Sequence, residues 1–174
     1  MLAVREGDLD RMGPVFDRNH KHLYNFFVRM TDSRRDSEDL VQEVFLRMLH
    51  YRHTYRDDSL FPAWMFQIAR NVRIDYHKRR TGDIQPLENQ MVVSPDENPE
   101  ETAVLRNEMD LLDSALAMLD KDKREVILLS RFEGMRFRDI ARLLGVKETT
   151  VKVRAHRAVQ ELGELFEKLT NEGV

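Results

Sequence analysis

The sequence of 174 residues contains no cysteine, only seven glycines and five prolines, and no long apolar run. Without cysteine there can be no disulfide framework, no thiolate metal ligand and no thiolate nucleophile. So few glycines and prolines leave little of the turn chemistry that a β-rich fold requires. The purely apolar runs, such as residues 126–129, are too short for a membrane span or a signal-peptide core. These absences predict a soluble protein of the cytoplasm, with no membrane insertion.

The residue patterns of an active site are also missing. There are no paired carboxylates at catalytic spacing, no glycine-rich phosphate loop and no nucleophile elbow. Some of the histidines could approach one another in space, but no HExxH spacing supports a metal site. These histidines are His20, His22, His50 and His53. We therefore predict that the protein is not an enzyme, and we expect no cofactor and no metal.

Charge and helical periodicity divide the chain into three parts. No strict apolar–polar alternation stands out, so the sequence predicts an all-α fold. The chain has a net charge of −3. Its acidic excess lies in residues 83–108, which hold seven acidic residues and one basic residue. Three of the five prolines also lie there, as is typical of an extended connection. We predict two small helical domains, residues 1–82 and 109–174, joined by a flexible acidic linker at 83–108.

Helix boundaries follow from capping and breaking residues. In the first domain we predict helices over about 8–30, broken or bent at Gly13 and Pro14, then 36–51 and 59–80. The expected core residues of the first helix are Leu9, Met12, Phe16, Leu23 and Phe27. After the linker, Asn98 and Pro99 mark the start of a helix. Asp122 and Glu125 then form a predicted capping box that opens the next one.

Residues 134–158 have the pattern of a helix-turn-helix. Two short helices meet at Gly145, which carries no Cβ to oppose a sharp turn. Ile140, Ala141, Leu144 and Val151 are expected to pack the two helices together. In this motif the second helix enters the major groove of DNA. An ordinary helical hairpin is the alternative.

The helix at 36–51 has one distinctive outer face. Its members recur at i, i+3, i+4 and i+7, and they are Asp39, Gln42, Glu43 and Leu46. A solvated polar face is the simpler interpretation. Leu46 is the only residue in the face that hints at a partner surface.

The helix at 59–80 has a cationic strip. Arg70, Arg73, His77 and Arg80 recur along one side, and Lys78 and Arg79 lie beside them. Such a strip suits a phosphate backbone. Cations near a helix C-terminus also favour the helix dipole, so a purely structural role stays open.

Three motifs in sequence resemble one known family. They are DSEDLVQEVFLR at 36–47, FPAWMFQIARNVRIDY at 61–76 and the helix-turn-helix at 134–158. Together they are similar to the extracytoplasmic-function (ECF) group of bacterial RNA polymerase sigma factors. The resemblance covers nearly the whole chain. It implies that residues 1–82 are sigma region 2 and that residues 109–174 are sigma region 4.

The resemblance also implies roles for individual residues. Asp39, Gln42, Glu43 and Leu46 would dock on the clamp helices of the polymerase β′ subunit. Asn71, with the loop at residues 56–59, would capture a flipped base of the −10 element. The strand's phosphates would be held by the cationic residues Arg70, Arg73, His77, Lys78, Arg79 and Arg80.

In region 4 the resemblance assigns the −35 element to the second helix of the motif. The matching residues are Thr150, Lys152, Val153, Arg154, His156 and Arg157. Arg154 is the one that could pair within the domain instead. The domain would also touch the β-subunit flap, and an anti-sigma factor is an expected partner.

Several residues depart from the family pattern, namely Arg136, Lys147, Thr149 and Val153. Arg136 stands where a capping Ser or Thr is usual, so the first helix of the motif should lack a side-chain cap. Val153 stands where Ser is common and cannot donate a hydrogen bond. Two other classes of protein stay open: a free-standing helix-turn-helix regulator with a sensing or dimerisation domain, and a helical protein that sequesters a partner.

Overall fold

The computed structural model describes residues 1–31, 33–82 and 102–172, without the side chains of 81, 82 and 102–107. The described parts are helical and contain no strand, which confirms the all-α prediction. Contacts divide the chain into two compact units, Met1–Asn89 and Gln90–Val174. Most of the predicted linker and the predicted helix start at Asn98 and Pro99 lie outside the described residues. No described helix is long and apolar enough to cross a bilayer.

The first unit is built from four α-helices in its described part. They are α1 (Leu2–Arg5), α2 (Met12–Thr31), α3 (Arg34–His50) and α4 (Phe61–Gly82). Short 3₁₀ turns at Leu9–Arg11 and Arg52–Thr54 precede α2 and follow α3. Pro14 does not break α2, because it lies in the first turn, where the missing N–H has no helical partner to lose. α3 begins two residues earlier than predicted, since the Ser33 hydroxyl accepts a hydrogen bond from the Asp36 N–H.

An aromatic and aliphatic core joins α2, α3 and α4. Phe26 and Phe66 meet edge to face with ring centroids 5.2 Å apart, and both are buried. The predictions that Leu9 and Phe16 are core residues were wrong, because they are 52% and 39% exposed. Leu9 belongs to the 3₁₀ turn rather than to α2. Phe16 lies at the rim, and one side of its ring contacts Phe45.

The second unit contains α5 (Thr102–Met118), α6 (Lys121–Ile127), α7 (Phe137–Leu144) and α8 (Glu148–Glu172). A π-helical segment, Leu128–Phe132, extends α6. The predicted capping box was wrong. The cap of α6 is Asp120, whose carboxylate accepts a hydrogen bond from the Asp122 N–H at 2.9 Å. Glu125 is buried one turn further along.

α7 and α8 form the predicted helix-turn-helix. Gly145 ends α7 with a left-handed φ of 68°, the conformation that glycine adopts without steric cost. Ile140, Ala141 and Val151 are buried between the helices as expected. Leu143, rather than the predicted Leu144, is the buried leucine of α7. The exposed side of α8 is thereby fixed relative to α7.

Candidate functional site

The outer face of α3 presents an exposed leucine among polar groups. Leu46 is 62% exposed, and Asp39 and Gln42 are exposed on the same side. The opposite side of α3 buries Leu40, Val44 and Met48 in the core. An exposed leucine gains free energy only when a partner covers it. The arrangement therefore suits a docking surface.

Glu43, the fourth member of this face, is held by an ion pair. Arg47 donates from Nε to Glu43 Oε1 and from a terminal nitrogen to Asp75 Oδ2, both at 2.7 Å. The Arg47 guanidinium thus bridges two carboxylates and joins the face of α3 to α4 through charge-assisted hydrogen bonds. The hydrogen bond from Arg47 lowers the pKa of Asp75 below its usual value. Sequence analysis missed this bridge, because Arg47 and Asp75 come together only through tertiary packing.

The cationic strip of α4 is divided between exposed and half-buried groups. His77, Lys78 and Arg79 are exposed, whereas Arg70 and Arg73 are half-buried. The exposed three lie near the C-terminal end of α4. Arg70 and Arg73 are more constrained, because the Nε atom of each is buried.

Arg80, the last predicted member of the strip, belongs to a network at the start of α3. Arg80 donates to the Tyr76 hydroxyl at 2.5 Å, and that hydroxyl donates to Asp36 Oδ2 at 2.6 Å. Partial burial opposes ionisation of Asp36, but hydrogen bonds with Tyr76 and Ser33 and the charge of Arg80 outweigh it and lower its pKa. Burial raises the pKa of Tyr76, and the hydrogen bond to Asp36 raises it further. The structure thus directs Arg80 towards α3.

The loop before α4 is anchored by aromatic packing at one end. Tyr55 is buried, with its ring 5.3 Å from that of Trp64, and its hydroxyl donates to the Ser59 carbonyl at 3.3 Å. A turn follows in which the Ser59 N–H donates to the Arg56 carbonyl at 3.0 Å. Trp64 packs at this anchor rather than presenting its ring for stacking. These contacts give the 56–59 loop a defined conformation.

Asn71 lies on α4, on the exposed side of the helix. It is ten residues beyond Phe61, or about 15 Å along the helix axis. Its side-chain oxygen accepts a weak hydrogen bond from Gln67 at 3.5 Å.

The exposed face of α8 contains most of the predicted −35 residues. Thr150, Val153, His156 and Arg157 are exposed, and the opposite face buries Val151, Ala155 and Ala158. Lys152 is exposed and pairs with Glu148 one turn earlier at 2.8 Å. This hydrogen bond lowers the pKa of Glu148. The arrangement leaves hydrogen-bond donors and the methyl groups of Val153 exposed on one side of α8.

Arg154 is directed away from that face. Its guanidinium lies 3.1 Å from Asp122 on α6, and its side chain is half-buried. This placement agrees with the pairing within the domain that the sequence left open. Lys123 and Glu161 form a second ion pair between α6 and α8. Two ion pairs thus connect α8 to α6.

Arg136 precedes α7 at its N-cap position and supplies no side-chain cap. The Arg136 backbone is extended at φ −71° and ψ 142°, and its side chain makes no capping hydrogen bond. Its carbonyl still accepts from the N–H groups of Asp139 and Ile140. The expected lack of a side-chain cap at Arg136 is therefore confirmed.

Nowhere in the described part of the chain do three acidic or histidine side chains cluster as a metal site would require.

Comparison with known proteins places these features in a family context. The sigma-70 region 2 family matches residues 15–82, and the sigma-70 region 4 family matches residues 109–162. The ECF RNA polymerase sigma factor SigX of Bacillus subtilis is 30% identical, over 91% of this chain and 84% of SigX. The RNA polymerase sigma factor CarQ of Myxococcus xanthus is 31% identical, over 97% of each chain.

Solved structures resemble the fold as well. CnrH, solved in complex with the cytosolic domain of CnrY, superposes with a TM-score of 0.72 at 26% identity, covering 96% of this chain and 94% of CnrH. RpoE of Bartonella quintana, solved with the anti-sigma factor NepR, superposes with a TM-score of 0.77 at 24% identity. That alignment covers 89% of this chain and 96% of RpoE. The similarities in sequence and in fold thus extend over most of the chain.

Proposed function

The chain belongs to the sigma-70 family of RNA polymerase sigma factors, in its ECF group, and we propose how its two units divide the work of promoter recognition. The first unit docks on core polymerase and opens the −10 element. The second unit reads the −35 element as duplex DNA. The protein itself catalyses no reaction, because the polymerase supplies the chemistry. It acts in the cytoplasm.

The face of α8 is the observation on which the division depends most. Val153, His156 and Arg157 project from the helix side opposite buried Val151 and Ala155. A helix of this kind fits the major groove, where a valine methyl can contact thymine and an arginine can contact guanine or phosphate. Thr150 and Lys152 extend the same surface towards the start of α8. Arg154 supports it indirectly through Asp122.

The −10 element is opened along α4. Arg70, Arg73, His77, Lys78 and Arg79 hold the phosphates of the single strand. Asn71 and the 56–59 loop receive one unstacked base, whose extrusion costs a few kcal/mol. Polymerase docking and phosphate contacts offset that cost. Arg80 contributes by fixing the end of α4 through Tyr76 and Asp36.

Docking on the polymerase uses the α3 face. Burial of Leu46 supplies apolar contact, and Asp39, Gln42 and Glu43 supply acceptors for cationic groups of the β′ clamp helices. The Arg47 bridge keeps the Glu43 carboxylate in a fixed position. The second unit contacts the β flap. An anti-sigma factor is a further expected partner from the family resemblance, and the similar CnrH was solved in complex with the cytosolic domain of CnrY.

Run-off transcription with core polymerase tests the proposed function. Core enzyme is incubated with fragmented genomic DNA of the source organism, with and without the protein, and the 5′ ends of the transcripts are sequenced. New start sites that share two sequence blocks at a fixed spacing are expected. A free-standing regulator would instead bind the same DNA without polymerase. A sequestering protein would produce no new starts, and either outcome would overturn the proposal.

A further inference from the structure

α1 contacts the loop to which base capture is assigned. Val4 is fully buried and anchors this short helix against the rest of the first unit. The neighbouring Arg5 donates to the Tyr55 carbonyl at 3.1 Å and to the Asp57 carboxylate. One guanidinium therefore joins the backbone at the start of the loop to a side chain in its turn. Neither contact was visible from the sequence, because about fifty residues separate the partners.

Arg5 also offsets negative charge at the loop. Asp58 pairs with Arg56 at 3.3 Å, and Asp57 pairs with Arg5. Arg5 also lies 3.5 Å from Glu6, so the cluster of Arg5, Arg56, Glu6, Asp57 and Asp58 has one net negative charge. Without Arg5 it would have two. Such a charge repels the phosphates of an approaching strand. The same contact thus affects both the shape of the loop and its electrostatic potential.

We propose that Arg5 is a positioning residue for base capture, and that it acts by holding the 56–59 loop in the shape that receives the flipped base. The inference rests on the proposed role of this loop in region 2. Arg5 does not touch DNA. The Tyr55 carbonyl fixes the start of the loop relative to α1, and Asp57 fixes its turn. Tyr55, through Trp64 and Ser59, secures the other side.

The preference of the holoenzyme for particular −10 bases distinguishes a positioning role of Arg5 from a role in the stability of the first unit. Holoenzyme is assembled from core polymerase and the full chain, either wild type or Arg5→Ala. Initiation is measured on a promoter found by the run-off experiment, with every non-template base of the −10 element replaced in turn by the other three. For Arg5→Ala we expect discrimination at one position to fall by about tenfold, as small misplacements of a binding group do. Other positions should keep their preferences.

Arg11→Ala is the matched control. Arg11 also forms an ion pair near α1, with Asp8 at 3.4 Å, but it lies in the exposed turn before α2. This variant should discriminate like the wild type. Asp57→Asn guards against a folding defect, because Asp57 is largely exposed and its replacement removes only one partner of Arg5. It should weaken discrimination at the same position as Arg5→Ala.

Two results would overturn the inference. In one, Arg5→Ala and Asp57→Asn keep wild-type discrimination at every position. In the other, both lower initiation by the same factor on all templates, as a purely structural role would require. A wild-type holoenzyme that fails to initiate on any template would instead contradict the proposed function. The two failures are therefore distinguishable.

Discussion

The two units hold their functional side chains in different ways. In the first unit, Glu43, Asp36 and Asp57 are each joined to an arginine, and the partners of Asp36 and Asp57 belong to other helices. In the second unit, His156 and Arg157 extend from α8 without a hydrogen bond or ion pair to any residue that the structure describes. The ion pairs of Arg154 and Glu161 connect α8 to α6 behind that face. Ion pairs therefore hold the side chains Glu43, Asp36 and Asp57 of the first unit in place. His156 and Arg157 of the second unit are positioned only by the backbone of α8.

The difference matches the two proposed tasks. Capture of an unstacked base needs groups held in one geometry before the base arrives, because each disordered group adds an entropic cost to that of extrusion. Groove readout uses side chains that adjust on a rigid helix and exchange contacts with ordered water. Preorganisation is therefore expected to matter more in the first unit than in the second.

The largest expected effect concerns the core of the first unit. Phe66→Ala removes a fully buried ring and should lower the free energy of unfolding of that unit by about 3–5 kcal/mol. Denaturant unfolding followed by fluorescence of Trp64, the only tryptophan, reports on the first unit. Phe16→Ala should cost less than half as much, because Phe16 is partly exposed. Equal losses in the two variants would contradict the described core.

The next effect is on docking. Leu46→Ala should weaken the affinity for core polymerase by about tenfold, because a leucine buried on binding contributes one to a few kcal/mol. Leu9→Ala is the control, since Leu9 is similarly exposed but lies outside the α3 face. Affinity can be measured by competition with a labelled sigma factor. Equal affinities for the two variants would exclude the α3 face as the docking surface.

Two arginines on α8 test the second unit. Arg157 is exposed, whereas Arg154 is paired with Asp122. If Arg157 contacts a phosphate, Arg157→Ala should reduce by about 0.9 the slope of log affinity against log salt for holoenzyme binding to −35 DNA. Arg154→Ala should leave that slope unchanged. An unchanged slope for Arg157→Ala with relaxed base preference would make Arg157 a base reader, and a reduced slope for Arg154→Ala would contradict its placement.

The smallest expected effect is on pH dependence. The folded-state pKa values of Asp36 and Asp75 are lowered, so each carboxylate stabilises the first unit above its unfolded pKa of about 4. That stabilisation is lost as the pH falls through the folded-state values. Asp75→Asn should therefore flatten the fall in stability below about pH 5, measured by Trp64 fluorescence. An unaltered pH profile would show that the Arg47–Asp75 contact adds no stability.

Helical periodicity was enough to predict the fold class and most of the recognition motif. Gly145, Ile140 and Val151 have the predicted roles, because the local turn and the apolar spacing together determine them. Helical spacing did not predict burial correctly at the ends of helices or at the edge of the core. Phe16 has the spacing of a core residue but lies at the edge of its helix packing, and only the tertiary structure locates that edge.

The candidate surfaces were predictable in outline, and their internal connections were not. The exposed face containing Leu46 follows from helical spacing alone. The bridge from Arg47 to Asp75, the network at Tyr76 and the contact of Arg5 with the loop join residues 28 to 52 positions apart. Charge counts along the sequence do not show which cation meets which carboxylate. Such pairs depend on how the helices pack.

Footprinting of a promoter fragment tests the central claim most directly. The protein alone, core polymerase alone and the two together are incubated with a promoter found by run-off transcription, and protected and permanganate-reactive bases are mapped. With both components we expect protection at the −35 element and reactive thymines at the −10 element, and neither signal with either component alone. The same two-part pattern produced by the protein without polymerase would contradict a sigma factor that divides −10 opening and −35 reading between its two units.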